Sequence, residues 1–304
     1  MAALATPVTA PLDYLLHLAD NALVLGQRNA EWCGNGPILE EDIALANMSL
    51  DLIGQARMLY QHAATTYAPT LIAMHTSVPS GGALRLRPGP STSSGQAKAG
   101  SAALADGEQA GDPVTEDTLA YFRDATAFRN YTLLELPHAS DASERDYAVT
   151  ITRNFFYSAL MLLLWEALQT STDPQLAAIA GKSLKEVRYH FRHSRDWLLR
   201  LGDGSADSHA RSQSAVNYLM PYTQEYWAQA AINHIAASET AAGMATLRSR
   251  WDDLVDDVLD EARLQRPRIM GKPAQGKNGQ HSEHLAPLLL EMQSLARAHP
   301  QAQW

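Results

Sequence analysis

The sequence predicts an all-α protein, and three observations support this prediction. Apolar residues recur at helical spacing in several long segments, beginning with Leu12, Leu15 and Leu16. No convincing stretch shows the alternation of apolar and polar residues that is typical of half-buried strands. Hydrophobic residues make up 46% of the 304 residues and charged residues 19%, which is typical of a folded protein with a large core.

The first two helices are predicted near the N-terminus. Helical spacing of leucine and alanine runs through 12–28, and a turn rich in glycine and proline follows at 31–37. A second helix is predicted from Ile38 to about Ala64. Its first turn is acidic, which suits the positive end of the helix dipole.

The remaining chain continues the helical pattern. Short helices are predicted in the connection 115–136, and two further long helices at 141–171 and 175–201. Three more helical segments follow, at about 209–236, 239–264 and 282–298. Four long helices followed by shorter ones predict a four-helix bundle with additional C-terminal helices.

One segment has a different composition. Residues 77–114 are rich in glycine, serine, proline and alanine and contain no aromatic residue. Such a segment buries too little apolar surface to offset its chain entropy, so we expect a flexible insertion. The helices on both sides fit one bundle, and we therefore expect a single domain over 1–304.

Charge and cysteine content limit the possible functions. The net charge of −9 and pI of 5.6 argue against nucleic-acid binding, which needs a basic surface. Cys33 is the only cysteine, which excludes an internal disulfide and a cysteine-based zinc or iron–sulfur site and suits the cytoplasm. The apolar run 155–165 is too short to span a membrane and indicates a buried helix.

A long-helix bundle raises the possibility of a di-iron carboxylate site. Such a site takes one glutamate from each of two helices and a Glu-x-x-His pair from each of the other two. Here the first helix has no glutamate and offers Asp20, the second offers Asp51, and the third offers Glu166 at its end. The fourth has Glu186 and His190, four residues apart. The predicted core therefore contains no complete Glu-x-x-His pair.

Four separated motifs carry a specific resemblance. The segments 18–37, 42–57, 173–205 and 276–293 resemble the structural C-type subunits of bacterial phenylacetyl-CoA 1,2-epoxidases. The resemblance implies a ferritin-like fold and a cytosolic role in aerobic phenylacetate breakdown. It also implies several partners: a catalytic di-iron subunit, small subunits, and a reductase that uses NADPH, flavin and an iron–sulfur cluster.

The same resemblance implies a degenerate metal site. If His190 stands where a ligand histidine would, the matching carboxylate falls at Val187. Asp51 resembles the residue just before a second motif, whose ligands fall at Leu52 and Gln55. A hydrocarbon cannot ligate iron, so we expect no metal site and no catalytic residue in this chain. The degenerate ligand positions, together with the polar residues Asp51 and Glu186 next to them, are Asp51, Leu52, Gln55, Glu186, Val187 and His190. A nearby lysine or arginine is expected to neutralise the glutamate among them.

Two other clusters have alternative interpretations. Arg188, Arg192 and Arg195 share one helix face, which indicates a solvated face, or else a contact with an acidic partner or with the phosphates of coenzyme A. The C-terminal cluster has the residue types of a metal site, but only two members share a helix face, so we expect a structural or interface role. Its members are His281, Glu283, His284 and Glu291.

Three functions remain open from the sequence. The first is a non-catalytic structural subunit that pairs with and stabilises a di-iron subunit. The second is a self-sufficient di-iron oxygenase or ferroxidase, which the missing Glu-x-x-His pairs oppose. The third is a coenzyme A-binding module, which would need a basic pocket.

Deletion of 77–114 should leave folding intact, because the free energy of loop closure changes only slowly with loop length. Thermal unfolding of the deletion variant should give a Tm within a few degrees of the full chain. A variant that is insoluble or unfolded would show that the segment packs against the bundle.

Overall fold

The computed structural model describes residues 9–76, 114–139, 145–228, 243–300 and 302. The predicted insertion at 77–114 lies outside these residues, except for Val114. In the described residues the chain is helical, and its only β-type pairing is an isolated bridge between Gln275 and Gln280. The prediction of an all-α protein is confirmed.

Ten α-helices are described. They are α1 (Leu12–Ala30), α2 (Leu39–Thr76), α3 (Glu116–Tyr121), α4 (Thr132–Glu135), α5 (Tyr147–Leu168), α6 (Pro174–Gly202), α7 (Ala206–Leu219), α8 (Gln224–Trp227), α9 (Gly243–Glu261) and α10 (Leu285–Ala298). Short 3-10 helices lie at Ala125–Ala127, Met220–Thr223 and Gly276–Asn278.

Helix boundaries differ from the prediction where proline or a capping residue intervenes. Helix α2 continues beyond Ala64 and departs from helical geometry at Tyr67 (φ −117°, ψ 22°), close to Pro69, whose ring crowds the preceding turn. Helix α5 begins later than predicted, where the Asp146 carboxylate accepts a hydrogen bond from the Ala148 N–H (2.8 Å). The segment predicted at 209–236 changes to a 3-10 turn after Leu219.

The core is built from two helix pairs, α1 with α2 and α5 with α6. Helix α5 is 22 residues long and, by length and composition, could cross a membrane, so the run 155–165 underestimated its apolar length. It is buried along almost its whole length inside the protein, as predicted. A helix that is apolar all round can be stable only when neighbours cover each face, so α5 lies at the centre of the bundle. Large side chains that fill this core include Leu15, Leu59, Phe155, Phe156, Trp165 and Trp251.

Polar side chains also join the two pairs. The side-chain amides of Asn29 on α1 and Asn154 on α5 exchange two hydrogen bonds of 2.9 Å. At the start of α6, the Asp173 carboxylate accepts hydrogen bonds from the backbone N–H groups of Leu176 (3.0 Å) and Ala10 (2.8 Å), and contacts His62 Nε2 of α2 (2.7 Å). One capping carboxylate therefore fixes three segments together.

Two buried histidines are held neutral. His17 Nδ1 donates to the Arg129 carbonyl (2.5 Å), and its Nε2 accepts from the Asn21 amide (3.3 Å). His138 Nδ1 is 2.7 Å from the Thr150 hydroxyl, which can donate to it. Burial disfavours the charged ring and lowers the pKa of both histidines to about 4.

These two histidines predict loss of stability in mild acid. The unfolded histidines gain a proton below about pH 6.5, whereas the folded ones stay neutral down to about pH 4, so the free energy of unfolding should fall across this window. At pH 5 the loss should be about 2 kcal/mol per histidine. Urea unfolding at pH 7.5 and pH 5.0 measures it.

The control is His17→Gln, which removes one titrating group and should show a smaller loss between the two pH values than the unmodified chain. His281 acts in the opposite direction: burial lowers its pKa, but the hydrogen bond and charge of Glu135 outweigh burial and raise it. Its contribution is full in acid and is lost as the pH rises. An equal loss in His17→Gln and the unmodified chain would contradict the assignment to His17.

Candidate functional site

The interface between α2 and α6 brings the predicted polar positions together. His190 Nε2 of α6 lies 3.0 Å from Asp51 Oδ2 of α2. One turn further along, the Gln55 side-chain amide donates to Glu186 Oε2 (2.9 Å). The two contacts form because these residues recur four apart on each helix and therefore share one face.

The two hydrocarbon positions lie on the inner side of this interface. Leu52 is 1% exposed and Val187 is 2% exposed, and both belong to the hydrophobic core. They fill the space next to the polar pairs with methyl and methylene groups. At the two places where the resemblance puts carboxylate ligands, the chain therefore has packed hydrocarbon and no donor atom.

Side-chain pairs engage the predicted polar positions of the interface. His190 is buried, whereas the Asp51 side chain is 38% exposed, so this pair lies at the edge of the bundle. The hydrogen-bond partner of Glu186 is the neutral Gln55 amide, not the lysine or arginine expected from the sequence. The expectation was wrong because Glu186 is only half-buried, and water can solvate its charge without a cation.

The residues at these positions do not fit a di-iron centre. A centre of that kind needs several carboxylates and two histidines that converge. Within the described ranges, no group of three or more histidine, cysteine, aspartate or glutamate side chains is arranged to hold a metal ion. The imidazole of His190, the histidine among these positions, is engaged by Asp51.

Asp20, the acidic candidate of α1, is neutralised by a buried arginine. Arg123, in the connection after α3, donates to both Asp20 oxygens, with Nη1 3.2 Å from Oδ2. The Tyr60 hydroxyl of α2 donates to Oδ1 (2.5 Å), and the Arg129 backbone N–H donates to Oδ2 (2.7 Å). A carboxylate that is 0% exposed thus has four protein donors.

Burial and neighbouring charges shift the pKa of two members of this cluster, Arg123 and Tyr60. Burial lowers the pKa of Arg123, but the charges and hydrogen bonds of Asp20 and Tyr60 together outweigh burial and raise it. Burial and the negative charge of Asp20 raise the pKa of Tyr60 well above its ordinary value, so Tyr60 remains a donor. The sequence alone did not identify Arg123, because nothing local relates it to α1.

A second buried carboxylate joins α2, α5 and α6. Glu41 Oε2 lies 2.8 Å from His193 Nε2 of α6 and accepts a hydrogen bond from the Tyr147 hydroxyl of α5. Burial, followed by the hydrogen bond and charge of Glu41, raises the pKa of Tyr147. The sequence suggested only a helix-dipole role for the acidic first turn of α2, whereas Glu41 is buried and points into the bundle.

The arginines predicted to share a face of α6 have different environments. Arg195 is ion-paired with Asp196 (3.1 Å) and Glu261 (2.8 Å). Arg188 and Arg192 are exposed, and the Arg192 guanidinium lies 5.9 Å from the ring centre of Tyr189. The two exposed arginines therefore face solvent, while the third is held against α9.

The C-terminal cluster does not converge on one point. His281 pairs with buried Glu135 (3.2 Å) and contacts the Phe128 carbonyl (3.0 Å), whereas Glu283 is exposed. His284 precedes α10, and Glu291 faces solvent on that helix. His281 thus helps to fix the loop before α10 to α4.

Two further residues singled out in the sequence lie at the surface. Glu166, the acidic candidate of α5, is ion-paired with Arg250 (3.1 Å) outside the bundle core. Cys33 is exposed in the turn between α1 and α2. Neither residue contributes to the α2–α6 interface.

Comparison with known proteins identifies the family. The sequence model of the family described as phenylacetic acid catabolic protein matches residues 3–304. The chain belongs to this family. A relative from Escherichia coli, named as the C component of 1,2-phenylacetyl-CoA epoxidase, is 40% identical over 293 residues, which cover 96% of this chain and 98% of the relative.

Family membership agrees with the fold that the resemblance implied. The two core helix pairs, α1 with α2 and α5 with α6, form a ferritin-like bundle, and the smaller helices pack around it. The resemblance found in four motifs extends over almost the whole chain.

Asp20→Asn should destabilise the fold strongly, because it leaves the Arg123 guanidinium buried without its counter-charge. We expect a loss of about 3–5 kcal/mol in the free energy of unfolding, measured by urea denaturation. The matched control is Asp117→Asn, an exposed carboxylate on neighbouring α3, which should change stability by less than about 0.5 kcal/mol. An equal loss of stability in the two variants would show that the Asp20–Arg123 ion pair stabilises the fold no more than an exposed carboxylate does.

Proposed function

We propose that this chain is a non-catalytic structural subunit of a phenylacetyl-CoA 1,2-epoxidase complex that acts in aerobic phenylacetate degradation in the cytoplasm. In this proposal it pairs with a catalytic di-iron subunit and stabilises it. The observation that carries the proposal is the packed hydrocarbon of Leu52 and Val187 at the positions of two ligand carboxylates. The identity to a relative named as the C component of the epoxidase supports the same role.

The cofactors of the reaction belong, in this proposal, to other subunits. The di-iron centre is held by the catalytic partner, and a reductase delivers electrons from NADPH through flavin and an iron–sulfur cluster. This chain supplies no ligand, because its polar core positions are occupied by internal pairs such as Asp51 with His190. Its contribution is a rigid bundle on which the catalytic subunit, the small subunits and the reductase assemble.

The described cavities also favour a structural role. One surface cavity of about 450 Å³ lies between α3 and α10, and another of about 350 Å³ lies near Trp32 and Trp197. A third cavity of about 280 Å³ lies between α2 and α3, where Ile53, Ala56 and Tyr60 line it. None of these three cavities is lined by the degenerate positions of the α2–α6 interface. A substrate that reacted at these positions would need a concave site there.

The first test is the metal content of the chain alone and in its complex. The chain expressed alone with added iron should contain far less than one iron per chain. Co-purification from the native host, with mass spectrometry, should find a di-iron protein of similar size in the same peak. Two tightly held irons in the isolated chain would instead favour a self-sufficient di-iron oxygenase or ferroxidase. Tight binding of coenzyme A by the isolated chain would favour a coenzyme A-binding module.

The second test concerns chemistry at the degenerate site. Glu186→Gln should keep most of the turnover per assembled complex, because the new amide oxygen still accepts from Gln55 and no reaction step passes through this side chain. Stability should fall by about 0.5–1.5 kcal/mol at most. A complex assembled with the His190→Ala variant should likewise keep most of its turnover. Turnover and yield of complex are measured separately, and a loss of several orders of magnitude in turnover with assembly unchanged would show direct participation in catalysis.

A further inference from the structure

Helix α2 is apolar on two opposite faces, and the part of the chain that the structure describes covers only one of them. The inner face carries Leu45, Leu52 and Leu59, which are buried in the core. The outer face carries four large apolar side chains in contact with solvent. Their exposed fractions are 73% for Leu39, 52% for Ile43, 66% for Leu50 and 39% for Ile53.

These four side chains form one continuous stripe. At about 100° per residue they fall within an arc of about 80° and extend over nearly four helical turns. Ala46 lies on the same arc between Ile43 and Leu50. Soluble monomers rarely expose a large contiguous apolar patch, so a stripe of this length points to a covering partner.

Gly54 lies at the end of the stripe, beside Ile53. A Cβ atom added at Gly54 would meet no atom within 4 Å, so packing inside this chain does not require glycine there. Glycine inside a helix costs about 1 kcal/mol relative to alanine. A small residue at this point allows a partner backbone to approach α2 closely.

The neighbouring face of α6 adds a charge pattern to this surface. Lys182 reaches across to α2, where its Nζ lies 3.8 Å from Met58 Sδ. Beyond it lie Tyr189, 39% exposed, and the exposed cations Lys185 and Arg192. This basic margin stands out in a chain whose net charge is −9. The surface is therefore an apolar stripe bordered by the cations of α6, with the carboxylates of Asp51 and Glu186 between them paired to His190 and Gln55.

We propose that the α2 stripe and the basic margin of α6 bind a helix of the di-iron partner subunit that presents apolar side chains beside acidic ones. This assignment rests on the proposed function. The apolar stripe supplies the buried area, and the opposite charges fix the orientation of the partner. A second copy of this chain is a poorer match, because it presents the same positive border.

The decisive variant is Ile43→Asp/Leu50→Asp, which places two charges on the stripe without touching the core. The control is Leu290→Asp/Leu295→Asp on α10, whose leucines are 72% and 56% exposed. The tagged full-length chain is co-expressed with the untagged di-iron subunit, and the recovered ratio and the Kd are measured. We expect the stripe variant to weaken binding at least about tenfold and the control to bind like the unmodified chain.

Two further variants make the test independent of folding defects. Gly54→Arg adds a side chain in open space and improves helix propensity, so Tm should stay equal or rise while binding is lost. Lys185→Glu/Arg192→Glu should weaken binding and reduce its salt dependence. Circular dichroism and Tm of each isolated variant report folding.

The outcomes separate this assignment from the proposed function. If the unmodified chain recovers no di-iron subunit, the proposed function fails and this assignment falls with it. If the unmodified chain and the stripe variant both recover the subunit, the proposed function stands and the surface is wrong. A homodimer of the isolated chain that becomes monomeric in the stripe variant would overturn the choice of partner.

Discussion

A fully buried carboxylate needs a counter-charge, and the contact of Asp20 with Arg123 is the interaction on which much of this structure depends. Arg123 also donates to the carbonyls of Leu119 and Ala127, and its guanidinium lies 4.3 Å from the ring centre of Phe128. The short connection after α3 is thereby held against α1 and α2. Removing the Asp20 charge would disrupt more than a single contact, because the ion pair with Arg123 orients the whole connection after α3.

The same requirement explains why the core of this bundle is self-contained. Di-iron relatives of a ferritin-like bundle can leave carboxylates and imidazoles to the metal. Here protein groups pair with three of the carboxylates: His190 contacts Asp51, Gln55 contacts Glu186, and Arg123 contacts Asp20. With Leu52 packed beside them, these positions are filled by internal contacts and by hydrocarbon.

The residues that we propose to bind a partner lie on the surface and not in the core. Helix α2 connects the two, since its inner face packs in the bundle while its outer face presents the stripe from Leu39 to Ile53. The polar pairs with α6 fix the rotation of α2 and so determine which side chains face outward. The proposed docking surface is the face of α2 that these contacts leave exposed.

The sequence by itself determined the helical class and most helix positions, because periodicity, proline and capping residues such as Asp173 act locally. It also indicated, through the resemblance, that Leu52 and Val187 replace ligands. The tertiary structure alone decided which polar groups meet: Arg123 and Asp20 are 103 residues apart, and no local pattern relates them. It also decided which face of α2 remains exposed, since two apolar faces with the same helical period are indistinguishable until neighbouring helices cover one of them.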